Sequence, residues 1–333
     1  MLSRRRFVSI AASAVALPNF SPHAKAAAPA PVVWRGVAMG AMASMTLVHP
    51  DRDAARRLIE RCLVEISRLE AIFSLYRPDS ALVRLNAEGV LDHPPLELVE
   101  VLSFAASLAR HSDGAFDATV QPLFELYARH FAEPHPDPAG PPPARLAEAL
   151  ALVDHREVDI ASDRIALGRP GMKLTLNGIA QGYVTDRVAA LLAAAGLENL
   201  LLDLGEVRGA GRRPDGKPWR AAIADPVDPT ETLFTLDLPE RPGLPALATS
   251  GGYGMAFDPE RRHHHIFDPA TGQSAMHHAS VTVSAPSALV ADGLSTAIAA
   301  LPADRCGGLI DTFAPARAWS IRLDGRINDI LAA

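Results

Sequence analysis

Residues 280–300, SVTVSAPSALVADGLSTAIAA, are the part of the chain that most restricts its fold. Residues 280–284 alternate small and β-branched side chains, which is typical of a strand. Pro286 predicts a turn, and the run after it predicts a helix from about Ser287. Apart from a few small or polar positions, the helix consists of Ala, Leu, Ile and Val. It therefore offers an apolar environment to any charged group that it carries.

One acidic residue, Asp292, interrupts this helix, and Thr296 follows it four positions later. Residues four apart share a helical face, so we expect the two side chains to lie side by side. A carboxylate among apolar residues is costly unless a partner compensates its charge. Carboxylate and hydroxyl oxygens suit Mg²⁺, so the pair predicts a metal site. The alternative is a helix with one solvent-facing Asp, which this segment taken alone favours.

The N-terminus has the pattern of a twin-arginine export signal. Ser3-Arg4-Arg5-Arg6-Phe7-Val8 is followed by a short apolar stretch and by Ala24-Lys25-Ala26, which has the shape of a cleavage site. The apolar stretch is too short to span a bilayer. We therefore expect residues 1–26 to be removed on export and residues 27–333 to be soluble in the periplasm. No Cys lies near the cleavage site, so no lipid anchor is predicted.

Composition restricts the class of protein further. About 300 residues remain after cleavage, and 48% of the chain is hydrophobic, which suits one large domain or two subdomains. The net charge of −6 argues against nucleic-acid binding through bulk electrostatics. Cys62 and Cys306 are too few for a disulfide framework, and we interpret them as two separate buried thiols.

Hydrophobic periodicity predicts a mixture of helices and strands. Helices are predicted over residues 53–73, 94–111 and 182–195 and from 287 onward, and strands over 37–48, 158–167, 173–176, 200–204, 219–224, 233–238, 246–250 and 280–284. Residues 133–143, EPHPDPAGPPP, are expected to form a solvated loop. No strict βαβ repeat is present, so the chain is assigned to the α+β class.

Several segments occur in an order that resembles one family. They are SLYRPDS (74–80), GAFDATVQPL (114–123), NGIAQGY (177–183), DLG (203–205), DGKPW (215–219), ATSG (248–251), HIFDPATG (265–272) and the Asp292–Thr296 helix. The chain resembles the ApbE-type FAD:protein FMN transferases over nearly all of residues 27–333. The resemblance implies an α+β catalytic unit of two intimately packed mixed subdomains. It also implies an exported, Mg²⁺-dependent enzyme that cleaves the FAD pyrophosphate, releases AMP and attaches FMN through a phosphoester to a Thr or Ser of an acceptor protein.

The resemblance also assigns roles to individual residues. The metal would be held by Asp292, Thr296 and a backbone carbonyl in the small-residue turn, that of Ala180. The catalytic residues would be His265 and Asp292. His265 would take the proton of the acceptor hydroxyl, since a neutral imidazole can act as a base at pH 7. The residues expected to contact the flavin nucleotide are Met39, Tyr76, Ala115, Phe116, Asp117, Thr175, Gln181 and Ile266.

The chain departs from the family pattern at the flavin end of the site. In the segment TLNGIAQGY (175–183), Thr175 stands where the family usually has an acidic residue, and Gln181 stands where it usually has a lysine. Glutamine keeps hydrogen-bonding capacity and loses the point charge, which leaves open whether FAD binding is weaker. The usual Gly-Gly-Asn appears as Gly205-Glu206-Val207, and Met-Gly-Thr as Met39-Gly40-Ala41. Divergence and export route suggest an accessory factor for nitrous oxide reduction, with the exported domain of a membrane redox protein as acceptor.

Three other functions remain open at this point. The chain could be a periplasmic flavin carrier without transferase activity, or a Mg²⁺-dependent FAD pyrophosphatase that uses the same metal. The neighbours His263, His264, His277 and His278 also raise the possibility of a transition-metal site. Adjacent side chains on a strand point to opposite faces, so we do not expect all of these rings to converge.

Overall fold

The computed structural model describes residues 29–228, 230–239, 243 and 245–330. The predicted export signal, residues 1–26, lies outside them. The helices are α1 (Arg52–Phe73), α2 (Ala81–Glu88), α3 (Leu96–His111), α4 (Gln121–His130), α5 (Pro143–Leu150), α6 (Ala180–Ala194), α7 (Ala288–Ala300) and α8 (Ala303–Thr312). The strands are β1 (Val32–Ala38), β2 (Ala41–Leu47), β3 (Val90–Asp92), β4 (Val158–Ile160), β5 (Arg164–Leu167), β6 (Leu200–Asp203), β7 (Val207–Ala210), β8 (Trp219–Ala224), β9 (Thr232–Leu238), β10 (Ala246–Ser250), β11 (Ser280–Ala285), β12 (Arg317–Ile321) and β13 (Ile327–Ile330).

The main sheet has the strand order β1-β2-β6-β7-β10-β11-β12-β13, and every neighbouring pair in it is antiparallel. A smaller sheet has the order β3-β5-β4, and β8 pairs with β9 in a separate hairpin. In the part of the chain that the structure describes, helices and strands are mixed without a βαβ repeat, which confirms the α+β class. The expected division into two subdomains stays a prediction.

The centre of the main sheet is buried on both faces. Leu202 and Ala248 face the core that the sheet shares with the helices. Their neighbours Leu201 and Leu247 face the other way and pack against Trp219 of the β8–β9 hairpin. This alternation is the two-residue period of a strand, and it decides which side chains of β10 can reach the helices.

Helix α7 packs against β10, β11 and α6. Its N-terminus has two caps: the Ser287 hydroxyl accepts the Val290 N–H at 3.2 Å, and the Asp186 carboxylate of α6 accepts the N–H groups of Ala288 and Leu289 at 2.9 and 3.0 Å. These bonds satisfy donors that a helix start leaves unpaired, and a carboxylate there is favoured by the helix dipole. Asp186 therefore fixes the position of α7 relative to α6.

The sequence predicted several elements well. The helix over 53–73, the strands over 219–224 and 246–250, and the strand and helix after 280 lie within one or two residues of the observed elements. Both cysteines are buried and free, as interpreted from the sequence. Among the described residues, no helix is both long and apolar enough to cross a membrane.

Other predictions were wrong in detail. Residues 173–176 are not a strand, because the Asn86 side chain bonds the N–H and C=O of Leu174 at 2.7 and 2.8 Å and Ala118 C=O accepts the Thr175 N–H at 2.8 Å. The strand over 158–167 is two strands, β4 and β5, joined by a turn that the Ala161 N–H closes on Arg164 C=O at 2.8 Å. Within the described residues, four helices and four strands were not predicted: α2, α4, α5, α8, β3, β7, β12 and β13.

Candidate active site

The carboxylate of Asp292 lies inside the protein, where only 3% of the residue is exposed to solvent. Its Oδ2 accepts the peptide N–H of Gly182 at 2.9 Å. Thr296 lies one turn further along α7, half-buried, and its Oγ1 donates to the Gly178 carbonyl at 3.4 Å. The alternative of a solvent-facing Asp is therefore wrong, since Asp292 meets the first turn of α6 and Thr296 meets the turn just before that helix.

Two glycines allow that turn to approach α7 so closely. A Cβ at Gly178 would lie 2.9 Å from the Thr296 Oγ1. A Cβ at Gly182 would lie 2.3 Å from the Ala288 carbonyl oxygen and 2.8 Å from the Cβ of Asp292. No real Cβ tolerates such contacts, so the sequence NGIAQG specifies a close crossing of two backbones. This crossing brings main-chain groups to the carboxylate and the hydroxyl.

The donor set at this crossing fits a hard divalent cation. It combines a carboxylate, a hydroxyl and nearby main-chain carbonyls, which are the oxygen ligands that Mg²⁺ accepts. Burial raises the pKa of Asp292 to about 7, and no described Lys or Arg forms an ion pair with it. A cation would remove this cost of burial. The Gly178 carbonyl is the one that contacts Thr296, and the Ala180 carbonyl stays a predicted ligand in the first turn of α6.

Two further carboxylates form a charge cluster with Asp292, because Glu206 interacts electrostatically with both Asp292 and Asp203. Glu206 is 5% exposed, and its pKa is raised well above the ordinary value by burial and by the negative charges of Asp292 and Asp203. Burial likewise raises the pKa of Asp203 to about 7. Neither carboxylate has an ion-pair partner within the described part of the chain. In the sequence, Glu206 was noted only as a departure from the family's Gly-Gly-Asn pattern. An acidic residue directly after an apolar strand could have indicated that it belongs to the site.

Two serines complete the hydroxyl groups around Thr296. Ser250, the last residue of β10, lies 2.7 Å from the Ser295 hydroxyl and 3.2 Å from the Thr296 hydroxyl. The Ser295 hydroxyl donates to the Asp292 main-chain carbonyl at 2.9 Å. The motif ATSG (248–251) was identified in the sequence, but no role was predicted for Ser250. Only the register of the sheet brings this serine to α7.

His265 is held by one main-chain carbonyl. The Met255 C=O lies 3.1 Å from Nδ1 of His265 and also accepts the His265 peptide N–H at 3.1 Å. A carbonyl can only accept, so Nδ1 carries the proton and Nε2 keeps its lone pair. Burial lowers the pKa of His265, which keeps the ring neutral at pH 7. The ring therefore has the protonation state of a general base.

The neighbouring histidines have partners of their own, although residues 263–265 form no strand and only His264 makes an isolated β-bridge, to Ala256. His263 Nε2 donates to the Pro138 carbonyl at 3.2 Å, and its ring lies 5.0 Å from that of Phe131. His264 is buried, packs on Gly252 and accepts the Ile266 N–H at 3.3 Å. The three rings have three different sets of partners and do not converge on one point.

The residues predicted to contact the flavin nucleotide lie in several segments. Met39, in the β1–β2 turn, donates its N–H to Glu70 of the last turn of α1, and Tyr76 follows that helix with 62% of its surface exposed. Gln181 packs against Gly205, where a Cβ would lie 2.5 Å from its Nε2. Thr175 is tied to Ala118 through its N–H at 2.8 Å. Phe116 and Ile266 are buried, and Ala115 is half-buried.

Asp117 has a different environment from the others. Its carboxylate accepts bonds from the N–H and hydroxyl of Thr119 at 2.7 and 2.6 Å and from the His155 N–H at 2.9 Å. His155 Nδ1 lies 3.3 Å from the same carboxylate. These contacts stabilise the loop that carries residues 115–117, and contact of each predicted residue with the nucleotide stays a prediction.

Known proteins resemble this chain along most of its length. The ApbE family model matches residues 39–318. A FAD:protein FMN transferase of Haemophilus influenzae is 33% identical over 259 residues, which cover 74% of this chain and 72% of that protein. The crystal structure of the Pseudomonas stutzeri flavinyl transferase ApbE, apo form, covers 91% of this chain and 96% of its own, with TM-score 0.75 and 29% identity. The flavin transferase ApbE from Vibrio cholerae gives TM-score 0.76 at 27% identity, covering 90% and 96%.

These similarities place the chain among the transferases. It belongs to the ApbE family, as the matched motifs and the shared fold together show.

Proposed function

We propose that the protein is a Mg²⁺-dependent FAD:protein FMN transferase. Its reaction moves FMN from FAD to a Thr or Ser of an acceptor protein and releases AMP. Family membership and the names of the relatives support this reaction. The observation that carries the proposal is the buried Asp292 carboxylate, held beside Thr296 by the close crossing of residues 178–182.

The residues divide the chemistry between them. Asp292 and Thr296, with a carbonyl of the 178–182 turn, would hold Mg²⁺. The chemistry that the ion supplies when bound is neutralisation of pyrophosphate charge and stabilisation of the leaving phosphate. The acceptor hydroxyl oxygen forms a bond to the FMN-side phosphorus while the bond from that phosphorus to the AMP oxygen breaks. His265 Nε2 takes the hydroxyl proton, because Met255 holds the ring in the tautomer that leaves Nε2 free.

The location and the acceptor belong to the same proposal. The twin-arginine pattern of residues 1–26 supports export to the periplasm in a folded state. The acceptor is then an exported protein domain, and we propose that of a membrane redox protein. An accessory role in nitrous oxide reduction rests on the export pattern and on the divergent positions Thr175 and Gln181.

One experiment tests the proposal. The purified mature protein is incubated with FAD, Mg²⁺ and a candidate acceptor domain, and covalent flavin is followed by in-gel fluorescence while AMP is quantified. The expected result is fluorescent acceptor and AMP in equal amounts, abolished by EDTA. AMP without labelled acceptor would indicate a FAD pyrophosphatase. The assay is repeated with several exported acceptor domains that are flavinylated on Thr or Ser in other hosts. If the protein binds FAD but gives neither AMP nor labelled acceptor with any of them, it would be a flavin carrier.

A further inference from the structure

Ser250 closes a chain of hydroxyl groups that ends at Thr296. Its Oγ lies 2.7 Å from Ser295 Oγ and 3.2 Å from Thr296 Oγ1. The two partners are consecutive residues of α7, while Ser250 belongs to β10. β10 packs directly against this helix, and Ser250 has the same strand parity as Ala248, which faces the helical core. The contact is therefore a fixed sheet-to-helix contact.

The direction of each bond follows from the groups involved. The Asp292 main-chain carbonyl can only accept, so the Ser295 proton is donated to it at 2.9 Å. At 2.7 Å, Ser250 must then donate its proton to Ser295. With that proton used, Ser250 can only accept from Thr296. When the Thr296 proton points to Ser250 rather than to the Gly178 carbonyl, the order is Thr296 to Ser250, Ser250 to Ser295, and Ser295 to the Asp292 carbonyl.

This order determines how Thr296 presents its oxygen. Its proton has two acceptors, Ser250 at 3.2 Å and the Gly178 carbonyl at 3.4 Å, and in both cases it is directed to a group of the protein. The lone pairs of Oγ1 are then left for a ligand. A cation requires this orientation, because a hydroxyl coordinates through oxygen and is repelled when its proton points at the ion.

We propose that Ser250 is a positioning residue that orients the Thr296 hydroxyl for Mg²⁺. The inference rests on the proposed metal site and adds a residue of the sheet to it. Without Ser250, the Thr296 proton keeps only the longer contact to Gly178. The hydroxyl then rotates more freely, and metal affinity falls while the groups that react stay in place.

The test compares Ser250→Ala with wild type in two measurements. The first is the rise in Tm as MgCl₂ is added to the protein without FAD. The second is the Mg²⁺ concentration that gives half-maximal FMN transfer. In both, Ser250→Ala is expected to need about tenfold more Mg²⁺, in line with losses of metal affinity when an outer hydrogen-bond partner is removed. The kcat at saturating Mg²⁺ is expected to stay within about twofold.

Thr249→Val is the matched control. Thr249 precedes Ser250 on β10, and its hydroxyl lies 2.9 Å from that of Thr282 on β11. The variant therefore also loses one hydroxyl pair between β10 and a neighbouring element. It is expected to lower Tm and to leave the Mg²⁺ requirement unchanged. Ser250→Thr, which keeps a hydroxyl, is expected to restore most of the Mg²⁺ affinity.

The outcomes separate this inference from the proposed function. The role of Ser250 would be overturned if Ser250→Ala needed no more Mg²⁺ than wild type. It would also be overturned if Thr249→Val raised the Mg²⁺ requirement as much as Ser250→Ala does. A wild-type Tm that does not respond to Mg²⁺ would overturn it as well. Absence of FMN transfer, with the tenfold difference kept in the Tm titration, would overturn only the transferase and support the metal-positioning role.

Discussion

The peptide N–H of Gly182 donates to Oδ2 of Asp292 at 2.9 Å, although the two residues are 110 positions apart. The bond joins the first turn of α6 to α7 where Gly182 approaches Ala288 and Asp292 closely. It satisfies one lone pair of a buried carboxylate without neutralising its charge. The geometry therefore holds Asp292 in place and still leaves it in need of a cation.

Gly182→Ala is expected to destabilise the protein by about 1–3 kcal/mol, because the new methyl group overlaps the Ala288 carbonyl and the Asp292 Cβ. It is also expected to raise the Mg²⁺ requirement, since Asp292 must move. Urea unfolding and a Tm titration with MgCl₂ measure the two effects. The control is Gly308→Ala on α8, where a Cβ meets nothing within 4 Å and is expected to stabilise by up to about 1 kcal/mol. Equal stability of the two variants would contradict the close crossing.

Asp292→Asn is expected to reduce Mg²⁺-dependent activity by at least about 100-fold, because the neutral amide is a poor metal ligand. The amide oxygen can still accept the Gly182 N–H, and burying an amide costs less than burying a charge. The variant is therefore expected to unfold at the same urea concentration as metal-free wild type or higher. Circular dichroism and transfer assays at saturating Mg²⁺ measure this, and full activity would remove the metal assignment.

His265→Asn is expected to lower kcat by about 10²- to 10⁴-fold, the usual contribution of a positioned base. Asparagine can still donate to the Met255 carbonyl, so the segment is expected to keep its conformation. In wild type at saturating Mg²⁺, which would keep the Asp292 carboxylate ionised, the acidic limb of the kcat/KM profile is expected below pH 6.5, since the lowered pKa keeps His265 neutral to a more acidic pH.

His263→Asn serves as the comparison for that variant. Its ring packs against Phe131 and bonds Pro138, whereas His265 bonds Met255, so activity is expected to be kept while stability falls. If His265→Asn transfers FMN within twofold of wild type, the proposed base is another group.

His264 is expected to make folding sensitive to acid. Burial lowers its pKa to about 4 in the folded protein, against 6.5 when unfolded. Between these values the unfolded chain binds a proton that the folded protein does not, so the free energy of unfolding falls as the pH drops from 6.5 to 4 and levels off below. The loss amounts to about 3 kcal/mol at most. Above pH 6.5 the effect vanishes.

Urea unfolding of wild type and His264→Asn at several pH values, in EDTA, isolates this contribution. Asp203 and Asp292, with pKa raised to about 7, act in the opposite direction, but they are present in both proteins and cancel in the difference. We expect the variant to lose less stability than wild type between pH 6.5 and 4. Parallel pH curves for the two proteins would contradict the buried, neutral state of His264.

The sequence by itself determined the local elements and the residue types of the site. The helical period of residues 53–73, the strand at 280 and the Asp292–Thr296 spacing each depend on neighbours in the chain, so they could be predicted. The order of eight motifs identified the family. Residues 173–176 were predicted wrongly, because the Asn86 side chain, 88 positions away, takes the hydrogen bonds that a strand would have made.

Only the tertiary structure decided the environment of those residues. Whether Asp292 faced water or the interior depended on the crossing of α6 and α7, which is set by the close approach at Gly182. The contact of Ser250 with Thr296 depended on sheet register. The charge interaction between Glu206 and Asp292 depended on the β6–β7 connection, which carries Glu206, lying near α7. Burial and long-range contacts are properties of the packed chain. The helical period of the sequence could therefore place Asp292 beside Thr296, but it could not predict which groups of other elements pack around these two side chains.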